Sequence, residues 1–261
     1  MSRFNNQIIW ITGASSGIGE ALAVAWSREG ATLVLSARNA AELERVRARC
    51  ENAERHRVRP LDLVDTTAIE RVAAEILREL GHVDVLVHSG GVSQRSLAAE
   101  TKLDTDRRIM DINYFGTVAL TKAVLPSMLA RRSGHIVPIS SVIGYVGVPL
   151  RSAYAASKHA LHGFFETLRA ETAKHGIAVT MVVPGYIKTN VSENALRGDG
   201  SRYGTMDDTH QRAMLPEDAA PKIIDAVVKK KPEVRVGGRE IHAVLLRRFL
   251  PNVLRRMMKV K

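Results

Sequence analysis

The chain has 261 residues, 45% of them hydrophobic and 25% charged, which is enough for one substantial core and excludes a disordered protein. Its single cysteine, Cys50, excludes an intrachain disulfide and a cysteine-rich zinc site, as expected in a reducing compartment. The apolar run from Ile8 to Ile11 is too short for a signal-peptide core, and no later run reaches membrane-spanning length. We therefore expect one globular domain in the cytosol.

Apolar runs rich in β-branched residues alternate with helical patterns along most of the chain. Continuous hydrophobicity, as in VDVLV and IAVTMVV, is typical of strands buried on both faces. This order predicts an α/β domain with a central parallel sheet of about seven strands, doubly wound by flanking helices. The runs are QIIWIT, ATLVLS, RVRPL, VDVLVH, GHIVPIS, IAVTMVV and EVRVG. Pro138 is a misfit in its run, because proline cannot donate a ladder hydrogen bond.

Helix starts are indicated at three places. Asn39 with Glu42, and Thr67 with Glu70, have the spacing of capping boxes. A further helix is expected to begin near Glu20, directly after the first strand. Ligands of such a sheet bind beyond the carboxyl ends of the strands, so the loops that follow the strands are the candidates for chemistry.

The first of these loops reads TGASSGIG, from Thr12 to Gly19. Glycines let the backbone come close to phosphates, and the free amides of a helix N-terminus favour negative charge. We therefore predict a pyrophosphate-binding loop, with a tight strand-to-helix turn as the alternative. A nucleoside-triphosphatase loop is disfavoured, because Glu20 follows Gly19 where that motif needs Lys. The predicted cofactor contacts in this loop are Gly13, Ser15, Ser16, Ile18 and Gly19.

The loop after the second strand lacks the acidic residue that would bind the adenosine ribose of NAD. It carries Arg38 instead, whose guanidinium can face a 2′-phosphate, so the predicted cofactor is NADP(H). The alternative is an exposed arginine near a helix start. After the third strand, Asp62 and Leu63 are predicted to meet the adenine, although Asp62 can equally be a loop or capping residue.

These residues resemble the short-chain dehydrogenase/reductase superfamily, from about Asn5 to Gly238. TGASSGIG is similar to its TGxxxGxG cofactor loop, and YAASK is similar to its YxxxK active-site motif. The resemblance implies a Rossmann-type catalytic domain over residues 1–238. It also implies a catalytic tetrad, in chain order, of Asn113 in DINYFGT, Ser141 in ISSVIG, Tyr154 and Lys158.

The chemistry of carbonyl reduction suits these residue types, since it needs a hydride at carbon and a proton at oxygen. Tyr154 is expected to supply the proton, and Lys158, one helical turn away, is expected to lower the pKa of its phenol. Ser141 is expected to hold the substrate oxygen. By resemblance, Lys158 and Tyr154 also contact the cofactor, Lys158 through the nicotinamide ribose, and Asn113 holds a water that links Lys158 to a proton path.

Further cofactor contacts come from two other loops. After the fourth strand the chain reads His88-Ser89-Gly90-Gly91, where the family commonly has Asn-Asn-Ala-Gly. Ser89 and Gly91 are predicted cofactor contacts, and His88 is interpreted as a buried structural histidine rather than an added acid. By resemblance, Ile187 and Thr189 in PGYIKT meet the nicotinamide carboxamide, with a structural PG turn as the alternative.

No metal is predicted. His159, His162 and Glu166 fall on adjoining helical turns, but no HExxH pattern is present, and a helix contact or subunit interface is the favoured interpretation. The resemblance implies a homodimer or homotetramer, formed through this helix and the one that contains Asn113.

The end of the chain is strongly basic. From Lys229 onward there are 11 Lys or Arg against Glu233 and Glu240, so this part carries +9 of the net charge of +11, and nucleic acid is not the expected partner. Residues 239–261 form a predicted amphipathic extension that Pro251 divides into two short helices. It either packs on the domain or a sister subunit, or contacts an anionic membrane surface. Its apolar face is Leu246, Phe249, Leu250, Val253, Leu254 and Met257, opposite Arg248, Arg255 and Lys259.

The expected function is an NADP(H)-dependent carbonyl reductase or alcohol dehydrogenase, with a non-catalytic NADP(H)-binding sensor or scaffold as the alternative. Glycines at 198, 200 and 204 predict a mobile substrate lid near residues 190–215, which includes Tyr203, Met206, Asp207 and Asp208. Similarity of GYVGVPLRSAYAASKHAL to steroid- and lipid-type reductases favours a lipophilic ketone or aldehyde.

Overall fold

A computed structural model describes residues 2–206 and 213–257. Its central sheet has six parallel strands in the order β3-β2-β1-β4-β5-β6, and β7 pairs with β8 in a second, two-stranded parallel sheet. The predicted α/β fold with a central parallel sheet is confirmed, with six strands in that sheet rather than about seven. The strands are β1 Ile8–Thr12, β2 Thr32–Ser36, β3 Arg57–Val58, β4 Val85–His88, β5 Gly134–Pro138, β6 Ile177–Val179, β7 Met181–Pro184 and β8 Glu233–Val236.

The strand count differs because the run IAVTMVV divides at Thr180. The Thr180 amide still donates to Ile136 O at 3.0 Å, but its hydroxyl donates to Lys231 O at 2.6 Å, toward the segment that leads into β8. Beyond this point β7 stays next to β5 through a parallel bridge between Ile139 and Val182. Pro138 is the last residue of β5, opposite His88, and Ile139 N makes the next bond to His88 O at 2.9 Å.

Helices cover both faces of the sheet. They are α1 Gly17–Arg28, α2 Ala40–Ala48, α3 Thr66–Leu80, α4 Leu103–Met110, α5 Gly116–Arg131, α6 Ser152–Thr172, α7 Pro216–Val228, α8 Ala243–Phe249 and α9 Pro251–Met257. A single π-helical turn, Asp111–Phe115, joins α4 to α5. In the described part of the chain, no helix has the length and apolar character needed to cross a membrane.

Successive residues of β1 supply two separate cores, as expected for a strand buried on both faces. Ile9 and Ile11 face the core beneath α1 and α7, where Trp26 is fully buried. Trp10 faces the opposite core beneath α3, α5 and α6, together with Phe165. Both cores end at the carboxyl ends of the strands, so the loops there rest on rigid elements.

The helix starts agree only in part with the predictions. Asn39 caps α2, where its Oδ1 accepts from Ala41 N at 3.1 Å and Glu42 N at 3.3 Å. The predicted cap at Thr67 is wrong, because Asp65 Oδ1 accepts from Ala68 N at 2.9 Å and α3 begins at Thr66. The first helix begins at Gly17 rather than near Glu20.

The C-terminal extension begins with a 3₁₀ turn, Arg239–His242, and Pro251 separates α8 from α9 as predicted. The extension is tied to the main domain by Glu240, whose Oε1 accepts from Tyr186 N at 2.7 Å. Val244 and Leu254 are buried against the body. Lys259, part of the predicted polar face, lies outside the described residues, as do Asp207 and Asp208 of the predicted lid.

Candidate active site

A cavity of about 750 Å³ opens at the carboxyl ends of the strands, where parallel α/β sheets bind their ligands. Nearly all residues predicted as catalytic or as cofactor contacts line it. They are Gly13, Ser15, Ser16, Ile18, Arg38, Asp62, Leu63, Ser89, Gly91, Ser141, Tyr154, Lys158, Ile187 and Thr189. Gly19 and Asn113, also predicted, do not line the cavity.

The glycine-rich loop has the geometry of an anion site. Gly13 and Gly17 have φ of 65° and 57°, a conformation that favours glycine. Ser16 lies at the N-cap position, directly before α1, and its side chain does not cap the helix. The first amides of α1 therefore remain open to a negatively charged group. The loop therefore fits the pyrophosphate of a dinucleotide.

Two glycines of the loop serve close packing. A Cβ at Gly13 would lie 2.6 Å from Gly90 N, and one at Gly19 would lie 2.3 Å from Gly13 O. Gly19 therefore lets α1 approach the Gly13 turn closely, and its predicted contact with the cofactor stays a prediction. Gly17, which was not among the predicted contacts, lines the cavity and touches Thr189: a Cβ there would lie 2.8 Å from Thr189 Cγ2.

Arg38 follows β2 and lies exposed at the cavity wall. Within residues 2–206 and 213–257, no hydrogen bond or ion pair engages its guanidinium. Arg45, on the helix that follows, is by contrast paired with Glu20 at 2.7 Å and with Glu42 at 2.8 Å. Arg38 is therefore a cation at the cavity whose charge stays available to a ligand.

His88 does not line the cavity and is 3% exposed. The Thr121 hydroxyl donates to Thr117 O, so the 2.8 Å contact between Thr121 and His88 Nε2 is a bond that the histidine donates. Burial lowers the pKa of His88 to about 3, so the ring is neutral. The interpretation of His88 as a structural residue therefore agrees with its position, and it joins β4 to α5.

Asn113 lies in the π-helical turn, where an extra residue rotates its side chain toward the loop after β4. Its Oδ1 accepts from Val92 N at 2.8 Å, and its Nδ2 donates to Val92 O at 3.0 Å and to Ser157 Oγ at 2.9 Å. Ser157 in turn donates to Tyr154 O at 2.8 Å. Asn113 thus braces the backbone that carries Tyr154, and its predicted part in a water path stays a prediction.

Lys158 is 6% exposed, and its Nζ donates to Ile139 O at 2.8 Å. Burial lowers the pKa of this ammonium to about 8. Lys158 and Asn113 both flank Gly91, since a Cβ at Gly91 would lie 3.0 Å from Asn113 Oδ1 and 3.7 Å from Lys158 Nζ. A side chain at position 91 would therefore disturb two tetrad members together.

Tyr154 and Ser141 lie next to each other at the cavity wall, where the Ser141 hydroxyl is close enough to influence the phenol. Burial raises the pKa of the Tyr154 phenol, and the Ser141 hydroxyl only partly opposes that rise. The prediction of a lowered pKa is wrong for the protein by itself, because burial outweighs the effect of Lys158, whose Nζ lies 5.7 Å from the ring centroid and donates to Ile139 O. The phenol is consequently protonated at neutral pH, as a proton donor must be.

Gln94 is a site residue that the sequence did not indicate. It is fully buried, and its Oε1 accepts from Ala153 N at 2.8 Å and Tyr154 N at 3.4 Å, at the start of α6. Its Nε2 donates to Thr101 Oγ1 at 2.9 Å and Ser152 Oγ at 3.2 Å. Because α6 has no capping side chain of its own, Gln94 fixes the turn that carries Tyr154. No local motif could have found it, since its partner lies 59 positions away.

The first half of the predicted lid is attached to the segment around Gln94. Leu196 N donates to Ser93 O at 2.9 Å, and Arg95 N donates to Leu196 O at 2.8 Å. Farther along, Lys102 N donates to Gly198 O at 2.9 Å. These bonds attach Leu196, which lies at the cavity wall, to the segment around Gln94 that caps α6.

The histidines of α6 are structural in this geometry. His162 Nε2 contacts Ser140 Oγ at 2.8 Å, His159 Nδ1 contacts Ala155 O at 2.8 Å, and His162 Nδ1 lies 3.9 Å from Glu166. Among the described residues, no three His, Cys, Asp or Glu side chains are grouped as metal ligands would be.

Comparisons with known proteins identify the family. The family model for short chain dehydrogenases matches residues 7–199. The chain belongs to the short-chain dehydrogenase family. It is similar to a dehydrogenase/reductase SDR family member 7B of Bos taurus, with 46% identity over 97% of this chain and 80% of that one. A dehydrogenase/reductase SDR family protein 7-like of Drosophila melanogaster is 43% identical over 96% and 80%.

A solved structure supports the same assignment. The crystal structure of a short-chain dehydrogenase from Streptomyces avermitilis superposes with a TM-score of 0.83 and 30% identity, over 96% of this chain and 95% of that one. Members of this family are oxidoreductases that use a nicotinamide dinucleotide. The glycine-rich loop and the cavity described above fit such a cofactor.

Proposed function

We propose that this short-chain dehydrogenase is an NADP(H)-dependent carbonyl reductase, which reduces a ketone or aldehyde to an alcohol or runs the reverse reaction. The observation that carries the proposal is the Tyr154 phenol, which lies beside Ser141 at a cavity wall that it shares with Lys158. The bound nicotinamide supplies the hydride. The residues of this chain supply the proton and hold the substrate oxygen.

In this mechanism the carbonyl oxygen accepts hydrogen bonds from Ser141 and Tyr154, which stabilise the charge that develops on it. Tyr154 then gives its phenolic proton to that oxygen. The Lys158 cation, held beside the ring, stabilises the phenolate that is left. Gln94 and Asn113 keep the backbone of Tyr154 in place during the transfer.

NADP(H) is preferred to NAD(H) because of Arg38. An exposed guanidinium at the cavity wall, free of protein acceptors in the described part of the chain, suits the 2′-phosphate that distinguishes the two cofactors. A carboxylate at this place would select NAD(H) instead. Asp62, which also lines the cavity, is assigned to the adenine end of the same cofactor.

A lipophilic substrate is supported by the apolar residues of the cavity near the catalytic group. Val92 follows the loop after β4 and is held by Asn113, and Leu196 is paired with the Gln94 segment. Val191 completes this part of the wall. These side chains favour a steroid- or lipid-like carbonyl compound over a small polar one.

The test is NADPH consumption by the purified protein with a panel of aliphatic, steroid and small polar ketones and aldehydes. We expect turnover with NADPH, fastest for the lipophilic members, and much slower turnover with NADH. Cofactor binding is measured in parallel by titration. Tight NADPH binding without turnover on any compound would instead identify a non-catalytic sensor or scaffold.

We also propose that the enzyme is a homodimer or homotetramer, formed through the helices that carry Asn113 and Tyr154. Phe115 on the first of these is 53% exposed, and its ring contacts Tyr114, which in turn contacts Phe164 on α6, so a partly exposed aromatic group spans both helices. Light scattering of the purified chain should give a mass of two or four subunits, and Phe115→Ser should lower it. An unchanged mass would place the interface elsewhere.

A further inference from the structure

The two C-terminal helices expose an unusual concentration of large apolar side chains. Phe249 is 68% exposed and Met257 is 66% exposed, and each lies four residues after another exposed apolar side chain on the same helix face. Single exposed apolar residues are ordinary, but a contiguous group marks a contact surface. We call this group and the arginines between its members the C-terminal surface: Leu245, Phe249, Leu250, Val253, Met257, Arg247, Arg248, Arg255 and Arg256.

The body of the protein does not cover this surface. Each helix is held by one buried residue, Val244 in α8 at 8% exposure and Leu254 in α9 at 4%. Val244 belongs to the core beneath α5 and α6. Ala243 and Leu246 are half-buried, but the five apolar residues of the C-terminal surface are exposed, so packing on the domain does not account for them.

The charge of the surface is of one sign. Residues 241–257 contain four arginines and neither Asp nor Glu. Among the described residues, none of these arginines forms an ion pair, and the side-chain bond seen is from Arg255 to Asn252 Oδ1 at 3.3 Å. A partner with acidic groups and an apolar layer next to them would satisfy both halves of the surface.

A second copy of the chain is a poor occupant for this surface. In a two-fold symmetric contact a surface meets itself, so four arginines would face four arginines without an acidic group between them. An anionic bilayer offers the opposite arrangement, because its phosphates lie at the level of the arginines and its acyl chains lie just below.

We propose that the C-terminal surface binds anionic lipid bilayers peripherally. Phe249, Leu250, Val253 and Met257 enter the boundary between head groups and acyl chains, while the four arginines bind lipid phosphates. The two short helices lie in the plane of the membrane, and the rest of the domain stays in water. This placement does not depend on the reaction that the cavity catalyses.

The experiment is co-sedimentation of the full chain with vesicles of phosphatidylcholine alone and with vesicles that also contain about 30% phosphatidylserine, an anionic lipid. Two test variants remove one half of the surface each: Phe249→Ser with Met257→Ser, and Arg248→Ser with Arg255→Ser. A control variant, Val228→Ser with Lys231→Ser, removes one exposed apolar and one basic residue elsewhere. Melting curves confirm that all three are folded.

We expect binding to the anionic vesicles and little to phosphatidylcholine. The arginine variant should weaken binding about 30-fold and the apolar variant at least about tenfold, with the control unchanged. Absence of wild-type binding would overturn the proposal. An apolar variant that binds like wild type would also overturn it, because the protein would then adsorb by charge alone. If no form binds vesicles and the test variants no longer dimerise, the C-terminal surface is a dimer interface instead.

Discussion

Tyr154 and Lys158 are held at one end of the cavity by buried hydrogen bonds, whereas Arg38 lies exposed near the other end and is engaged by none of the described residues. The catalytic end is braced through Gln94, Asn113 and Ser157, each of which contacts the backbone of α6 or its neighbours. The difference separates two tasks. Residues at the braced end should control the rate of the chemical step, and Arg38 should control which cofactor binds.

The largest expected effect is at the braced end. Tyr154→Phe removes the proton donor and keeps the ring, so kcat should fall by about 10²- to 10⁴-fold while the Kd for NADPH stays within about threefold. Steady-state kinetics and a fluorescence titration measure the two quantities. A variant that keeps wild-type kcat would show that another group supplies the proton.

Arg38→Asp should have the opposite signature. Hydrogen bonds to charged groups contribute about 1.5 to 3 kcal/mol, so the Kd for NADPH should rise about 10- to 100-fold, and the Kd for NADH should change far less. Titration with both cofactors measures this. Arg45→Ala, which removes a paired arginine nearby, is the matched control. Equal weakening of both cofactors would refute the 2′-phosphate assignment.

Gln94→Leu should lower kcat about tenfold without changing the Kd for NADPH, because the turn that carries Tyr154 loses its cap. The same change should cost about 1 kcal/mol of stability. Gln94→Glu keeps the acceptor oxygens for Ala153 and Tyr154 and should recover much of kcat, with a shifted pH profile from the added charge. Lower stability with unchanged kcat would reduce Gln94 to a purely structural residue.

The smallest effect concerns stability and pH. Burial lowers the pKa of Lys158 to about 8, against about 10.4 in an unfolded chain, so the unfolded chain binds more protons between these values. The stability of the folded protein therefore rises as the pH increases from about 8 to about 10.4. Below about pH 8 Lys158 is charged in both the folded and the unfolded chain, so the folded protein bears the full cost of burying the ammonium.

Lys158→Met lacks this dependence. Relative to wild type, the variant should be more stable at pH 7 than at pH 10, so its gain in free energy of unfolding is larger at pH 7, as measured by urea unfolding at both values. Lys229→Met, at an exposed lysine, should show no such difference. A Lys158→Met difference that is independent of pH would mean that this lysine is not buried as a charge in the folded protein.

The sequence could predict the features that depend on local motifs. The residues of the TGASSGIG loop and of the YAASK helix are close together in the sequence, so each motif can be recognised locally. The order of buried runs likewise predicts a parallel sheet. Features that depend on distant partners were out of reach. Gln94 caps a helix 59 positions away, and Thr180 divides a continuous apolar run because its hydroxyl bonds to Lys231.

Electrostatics was the other limit. A lysine one turn from a tyrosine suggests a lowered phenol pKa, but burial of both groups decides the outcome, and burial depends on the whole fold. Asp65 rather than Thr67 caps α3 because its carboxylate reaches Ala68 N, and the sequence leaves this choice open because Asp65, Thr66 and Thr67 can all cap a helix.

The central claim is hydride transfer to a carbonyl with Tyr154 as proton donor. The most direct measurement uses NADPH carrying deuterium at the transferable C4 position, a lipophilic ketone and mass spectrometry of the product. We expect one deuterium at the new carbinol carbon with the wild-type protein, and almost no product with Tyr154→Phe although NADPH still binds. Tight NADPH binding with no deuterated alcohol from any ketone or aldehyde would contradict it.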